Sequence, residues 1–243
     1  MADPGPRSLL YEGLLLPALV SIILPPPPGS TWMQELLTLI PSDGDSRLAQ
    51  SVPSWERVPW LEQTTAAALL ENSPCPQLIS SHLPCCLFST CFHGSNAKVR
   101  GGGSGVRGIE RGRVLFGSWF QPFKGWLGLR DRLNFLLLTC EEMHQDLRGS
   151  VEWICQFLGK QQDAQALDGV VENTSFQAMN QNKTCNYGLG LENIMDQWVS
   201  PFLRKGVPGD WKGHFMVAQS QVFDWLYREQ MQDVSIRFPW DEA

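Results

Sequence analysis

Leu19-Val-Ser-Ile-Ile-Leu24-Pro25-Pro-Pro-Pro28-Gly29-Ser30-Thr31-Trp32-Met33-Gln-Glu-Leu36-Leu37-Thr-Leu-Ile40 is the stretch that decides the fold. Its first six residues form a short, continuously apolar run, the pattern of a strand buried on both faces of a parallel sheet. Residues 30–40 are amphipathic and read as a helix, and Gly29 supplies a tight turn before them. Strand, glycine turn and helix in that order aim free backbone N–H groups and a helix dipole at an anion, commonly a phosphate. The four prolines interrupt this pattern, because proline has no N–H to donate. The stretch reads as a phosphate site from which part of the donor set has been removed.

Composition bounds what surrounds it. A chain of 243 residues with 43% hydrophobic content buries one substantial core, consistent with a single α/β domain over 1–243. A formal charge of −6 argues against a nucleic-acid binder. The seven cysteines are an odd number, and Cys85 and Cys86 are adjacent. That favours reduced thiols and a cytoplasmic protein over a disulfide framework. No cysteine pair has zinc-ligand spacing with histidines nearby, so no metal is expected. The apolar stretch from Gly13 to Leu24 is too short to span a bilayer, and it lacks the basic leader and small-residue cleavage site of a signal peptide. It reads as a buried first strand with no membrane partner. The sequons at Asn173 and Asn182 are inert outside the secretory path.

Further along, residues 77–82 alternate and end at His82, before a stopping Pro84. Asn96-Ala-Lys-Val99 begins a third strand. It gives way to Gly101-Gly-Gly-Ser-Gly-Val-Arg-Gly108, with five glycines in eight residues. Residues 100–112 are therefore expected to be flexible and without regular structure. Gly103, Gly105 and Gly108 match G-x-G-x-x-G, but without a full strand before and a helix after them they do not make a dinucleotide fingerprint. A helix near 114–129 kinked at Pro122, a strand at 135–139, and helices near 163–173, 190–199 and 217–231 follow. Val151, Ile154, Cys155 and Leu158 fall at helical spacing, with Gly159 as the stop. Alternating strands and helices predict a parallel sheet. The strands at 19–24, 77–82 and 135–139 are expected to be neighbours, with His82 near Gly29 at their C-terminal edge.

Four segments together carry a family resemblance. Gly29-Ser30-Thr31-Trp32 resembles the end of the sulfate-donor loop of cytosolic sulfotransferases. Ser81-His82-Leu83-Pro84 is similar to their catalytic-histidine strand end, and Thr174-Ser175-Phe176-Gln-Ala-Met179 to their adenine-binding segment. Phe202-Leu203-Arg204-Lys205-Gly206-Val-Pro-Gly209-Asp210-Trp211-Lys212 resembles their 3′-phosphate signature. The blocks Val52-Pro-Ser-Trp55-Glu-Arg-Val-Pro-Trp60 and Phe238-Pro-Trp-Asp-Glu242 look most like the hydroxysteroid (cholesterol and alcohol) branch.

The resemblance implies a P-loop-like three-layer fold around a central parallel sheet, here partly truncated. It implies the co-substrate 3′-phosphoadenosine-5′-phosphosulfate and a steroid or similar apolar alcohol as acceptor. His82 is implied as the base. Gly29, Ser30, Thr31, Trp32, Thr174, Ser175, Phe176, Met179, Arg204, Lys205 and Gly206 are implied as donor-binding, and Trp55, Trp60 and Tyr187 as the acceptor wall. His93, His144 and His214 have no such context and read as surface residues. Leu10-Tyr11-Glu12-Gly13 resembles the family's usual start, and the stretch that separates it from the first strand is missing.

Departures from the family pattern point to impaired turnover. Pro27 stands where the loop lysine belongs, and Cys140 stands for a tyrosine. The glycine-rich segment 100–112 replaces a strand–helix segment that binds the 3′-phosphate. The C-terminal homodimer motif is reduced to Lys212, Met216, Val217 and Gln221. The alternative to a sulfotransferase is an inactive relative, or a variant product, that at most binds nucleotide or a partner.

Overall fold

The computed structural model describes residues 19–22, 29–71, 78–88, 98–101, 120–131, 134–189, 197–198, 201–210, 213 and 215–242. Strands β1 (Leu19–Ile22), β2 (Ser80–Ser81), β3 (Lys98–Gly101) and β4 (Asn134–Leu137) form one sheet in the order β2-β1-β3-β4. Every pairing is parallel: Ile22 lies opposite Ser81, Val20 opposite Val99, and Val99 opposite Phe135. Parallel strands in this order need crossover connections, and helix α1 (Ser30–Leu39) follows β1 in that role. Because Ile22 pairs with the residue before His82, the end of β1 and the candidate histidine emerge at one edge of the sheet.

Several sequence expectations are corrected here. Strand β4 pairs with β3 rather than with β1, so 135–139 is not a direct neighbour of 19–24. Strand β3 runs on through Arg100, opposite both Ser21 and Leu136, and through Gly101, opposite Leu137 of β4, because that pairing supplies the support that glycine lacks. The expectation of no regular structure therefore fails for those two residues, and 102–112 lie outside the described residues. Strand β2 is only two residues long, and β4 stops at Leu137. Thr139 instead caps helix α6 (Cys140–Gln145; α2 to α5 are placed below). Its hydroxyl accepts from the Glu142 N–H at 3.2 Å, and the Glu142 carboxylate accepts from the Thr139 N–H at 2.7 Å.

Helix α5 (Phe120–Leu127) carries Pro122 in its first turn, where a missing N–H breaks no helical bond. The expected helix at 190–199 falls almost wholly outside the described residues, as do the prolines 25–28. Helices α7 (Leu147–Leu158, ended by Gly159 at φ 73°), α8 (Ala164–Asn173), α9 (Phe176–Gln181) and α10 (Val217–Met231) complete the main elements.

Two buried clusters hold the described residues together. One packs Met33, Leu36 and Leu39 of α1, with Ile40 just after it, against Leu136, Leu138, Met143, Val151 and Ile154. The other packs Phe120, Phe123 and Trp126 of α5 with Ile79, Met231 and Phe238. The short helices α2 (Arg47–Ser51), α3 (Ser54–Arg57) and α4 (Ala66–Glu71) lie between α1 and β2 in the chain. A buried ion pair ties α3 to α1: the Arg57 guanidinium binds Glu35, donates to Thr38 Oγ1 at 2.6 Å and to the Val52 carbonyl at 2.8 Å. Their side chains are 3% and 2% exposed.

Among the described residues no helix is long and apolar enough to cross a membrane. Met216 and Val217, at the start of α10, are exposed, as are Val222 and Trp225 on the same helix.

Candidate active site

The site is organised from the end of β2. The segment before it lies alongside the strand: Ser80 N–H donates to the Pro59 carbonyl at 2.9 Å, and Leu61 N–H donates to the Ser80 carbonyl at 2.8 Å. Trp60 and Ser80 thereby form an isolated parallel bridge. Gln34, fully buried on α1, donates to the Val58 carbonyl at 3.1 Å and to Ser80 Oγ at 3.2 Å. The helix that follows the donor-loop turn and the strand that carries His82 are thus held on one scaffold. On the far side, the Trp126 indole donates to the Leu83 carbonyl at 3.1 Å, fixing the residue after His82.

His82 is half-buried and stacks on Trp60, with ring centroids 4.1 Å apart and planes 8° from parallel. Burial pulls its imidazole below the ordinary histidine value, and the carboxylate of Glu62 pulls the other way. One Glu62 oxygen accepts from Ser81 Oγ at 2.7 Å and from the His82 backbone N–H. The other lies 4.0 Å from His82 Nδ1. A histidine kept neutral near pH 7 has the lone pair that a general base needs.

Trp55, Trp60 and Tyr187, the residues expected to wall the acceptor, are linked to one another, and Trp60 is the one that meets His82. Trp55 packs on Tyr187 with centroids 4.7 Å apart, and Tyr187 on Phe202 at 4.3 Å. Tyr187 has a left-handed backbone, φ 61°, unusual for a side chain of its size. Burial pushes its phenol up, against a smaller opposing pull from Trp60. Trp60 therefore joins the aromatic group around Tyr187 to His82, while Phe202 links that group to the segment bearing Arg204.

The donor-side residues divide. Gly29 has φ 117°, and a Cβ there would run into Cys140 Sγ. The turn after β1 and the start of α6 after β4 therefore meet. Trp32 is half-buried, and its indole Nε1 is buried without a hydrogen-bond partner. Gly206 has φ 63°, and a Cβ there would collide with the Phe176 ring, so the adenine and 3′-phosphate segments touch. If these two segments hold an adenine nucleotide, Gly206→Ala is expected to weaken its binding at least about tenfold, because a Cβ in the left-handed turn at Gly206 would displace the Phe176 ring. Nucleotide-dependent protection in thermal unfolding measures this, and an unchanged shift refutes that role for the Gly206–Phe176 contact.

Other donor-side residues are engaged within the protein. Thr31 is buried and Ser30 half-buried in the first turn of α1. The Thr174 hydroxyl donates to the Val170 carbonyl at 2.7 Å in a fully buried position. Ser175 caps α9, accepting from the Ala178 N–H at 3.2 Å, and Met179 is buried. Arg204 and Lys205 both bind the Asp210 carboxylate, Lys205 at 2.7 Å. Of the other three histidines, His144 is exposed, and His93 and His214 lie outside the described residues.

Sequence reasoning missed Glu62 and Phe202 as parts of this arrangement, and it missed Asp210 as a competitor. The available signal for Glu62 was a carboxylate two residues beyond the Trp60 block. A cavity of about 320 Å³ between Leu127, Phe135, Leu137, Trp153 and Ile236 contains none of the candidate site residues.

The profile of the sulfotransferase domain family matches residues 20–99 and 106–235. Mouse sulfotransferase 2B1 is 41% identical over 251 residues, covering 92% of this chain and 74% of the relative. Guinea-pig 3-beta-hydroxysteroid sulfotransferase is 38% identical over 246 residues, covering 90% and 85%. Among solved structures, retinol dehydratase in complex with retinol and PAP superposes with a TM-score of 0.77 at 18% identity, covering 95% of this chain and 86% of that one. Mouse sulfotransferase SULT7A1 complexed with PAP gives 0.67 at 22% identity, covering 89% and 85%. These structural likenesses speak for the fold.

Proposed function

Since the chain belongs to the cytosolic sulfotransferase family, we propose that it transfers a sulfonate group from 3′-phosphoadenosine-5′-phosphosulfate to the hydroxyl of a steroid or similar apolar alcohol, at impaired efficiency. The observation that carries the reading is His82, held neutral by burial at the sheet edge and stacked on Trp60 of the aromatic wall. In this reading the chain is one domain over 1–243, a partly truncated three-layer P-loop-like fold with residues 102–112 in place of a family segment that follows β3. It works in the cytoplasm without a metal. A homodimer would form through the reduced motif at Lys212, Met216, Val217 and Gln221.

The donor site fits an adenine nucleotide in two respects: the orphaned indole N–H of Trp32, and the Gly206 turn pressed on Phe176. Trp32 and Phe176 would hold the base, Arg204 and Lys205 the 3′-phosphate, and the 29–31 turn the phosphosulfate end. When bound, the donor supplies an activated sulfonate whose S–O bond to the 5′-phosphate breaks as the bond to the acceptor oxygen forms. His82 takes the proton leaving that oxygen and later returns it to solvent. Trp55, Trp60 and Tyr187 orient the acceptor and exclude water.

Impairment is supported by Pro27 in the lysine position and by the glycine-rich segment that stands where the family has its 3′-phosphate-binding helix. Loss of two or three charge-assisted hydrogen bonds would weaken donor binding on the order of 10²–10⁶-fold against an intact site. Pro27→Lys alone would restore little, since Pro28 and the missing segment remain. Calorimetric titration with 3′,5′-adenosine bisphosphate, paired with radiolabelled transfer to a hydroxysteroid, tests the reading. Weak binding with slow, His82-dependent transfer is the expected result. Micromolar affinity with fast turnover would refute impairment. Binding without transfer would support the second reading, an inactive nucleotide-binding relative, which Pro27 in the lysine position favours.

A further inference from the structure

The Trp60 stack fixes the plane of the His82 ring, but a plane does not fix a tautomer or a face. A half-turn of the ring about its Cβ–Cγ bond keeps it stacked and exchanges Nδ1 with Cδ2, and Nε2 with Cε1. Something else must choose between the two orientations. Glu62 lies where that choice is made. Its Oε1 already accepts from Ser81 Oγ and from the His82 N–H, which is all a purely structural strand-end role requires. Its Oε2 is buried, has no hydrogen-bond partner, and lies 4.0 Å from Nδ1. A buried carboxylate oxygen without a donor is unfavourable, and the Nδ1 proton is the group placed to relieve it.

We propose that Glu62 is a positioning residue for His82, selecting the ring orientation and the Nδ1–H tautomer so that Nε2 keeps the lone pair that takes the acceptor's proton. The proposal rests on the reading of His82 as the base. The chemistry parallels the way a carboxylate orients a catalytic imidazole in hydrolytic triads. The charge of Glu62 acts on this imidazole and raises its value against the effect of burial. Burial keeps the nearby Tyr187 phenol and Cys85 thiol neutral.

The test is NMR on the full-length chain, with Glu62→Gln as the variant. In the wild type, the ¹⁵N shifts of His82 should report Nδ1–H, and the Glu62 carboxyl carbon should show an inflection at the His82 midpoint. In Glu62→Gln the tautomer preference should be lost and the His82 midpoint should fall by about 0.5–1 pH unit, because an attractive charge has been removed. The acid limb of any kcat profile should move with it, with kcat reduced and KM little changed. A His82 titration in Glu62→Gln that superimposes on the wild type overturns the proposal. So does a Glu62 carbon trace that is flat through the His82 midpoint, which needs no variant to fold. If the titration shifts as expected but neither protein transfers sulfonate, the reading of His82 as the base fails and the positioning stands. If transfer depends on His82 and the titration is unmoved, the positioning fails and the function stands.

Discussion

His82→Gln is expected to lower sulfonate transfer to a hydroxysteroid by about 10²–10⁴-fold, the range usual for loss of a general base. Glutamine retains hydrogen-bonding groups of similar reach, so the loss reports proton transfer rather than an emptied space. Adenine-nucleotide affinity should stay within about threefold of the wild type, because Arg204, Lys205 and Phe176 are untouched. The pH profile of the parent protein gives a second check. Burial, the larger effect, sets the His82 value below 6.5 despite the opposing carboxylate, so the acid limb of kcat/KM should lie below pH 6.5. A variant that transfers sulfonate as fast as its parent would remove His82 from the mechanism.

The largest expected effect on stability comes from Arg57→Ala. That change leaves the Glu35 carboxylate in the core with only the Cys185 thiol and no cation, a situation that typically costs about 3–5 kcal/mol. Urea denaturation at pH 7 measures it, and a loss below about 1 kcal/mol would mean that water or a rearranged cation reaches Glu35. The pH dependence has a defined sign. Burial raises the Glu35 carboxyl above its ordinary range, and Arg57 restrains that rise. A carboxyl raised in the folded state favours folding when protonated and loses that contribution as pH rises through its folded value. Without Arg57 the value rises further, so the deficit of the variant should be greatest at neutral pH and narrow as the solution is acidified. Replacing both partners by apolar groups of similar volume should recover much of the loss, since no charge is then left unpaired.

The parts legible in the sequence share a property: each is a local pattern. The apolar run from Leu19, the glycine turn and the amphipathic stretch to Ile40 specify strand, turn and helix from neighbours alone, and the helix at 217–231 follows in the same way. Gly159 ends its helix because only a left-handed residue satisfies that terminus cheaply. What was not legible depends on partners far along the chain. Strand β3 continues into Gly101 because Leu137 of β4 pairs with it, which no window around Gly101 contains. Glu62 becomes part of the site because Trp60 bridges Ser80, twenty residues on in sequence. Thr174 and Met179 lie in the adenine-like motif, yet one hydroxyl is engaged by the helix before it and the other side chain packs inward. A motif fixes residue types and order, but burial decides which of them can meet a ligand.

If Arg204 and Lys205 receive a phosphate, as proposed, Asp210 makes that site an exchanger. Arg204 and Lys205 already have an anion, a side chain 18% exposed that accepts from both. An incoming phosphate must therefore outcompete a tethered carboxylate whose local concentration never falls, and its affinity is a difference between two anions rather than the attraction of one. Such a site sets a threshold. Singly charged anions in the surrounding solution would gain less by displacing the resident carboxylate than a dianionic phosphomonoester with three acceptor oxygens would. The internal anion lowers the ceiling on affinity and, by the same amount, keeps the two cations from being occupied by whatever salt is most abundant.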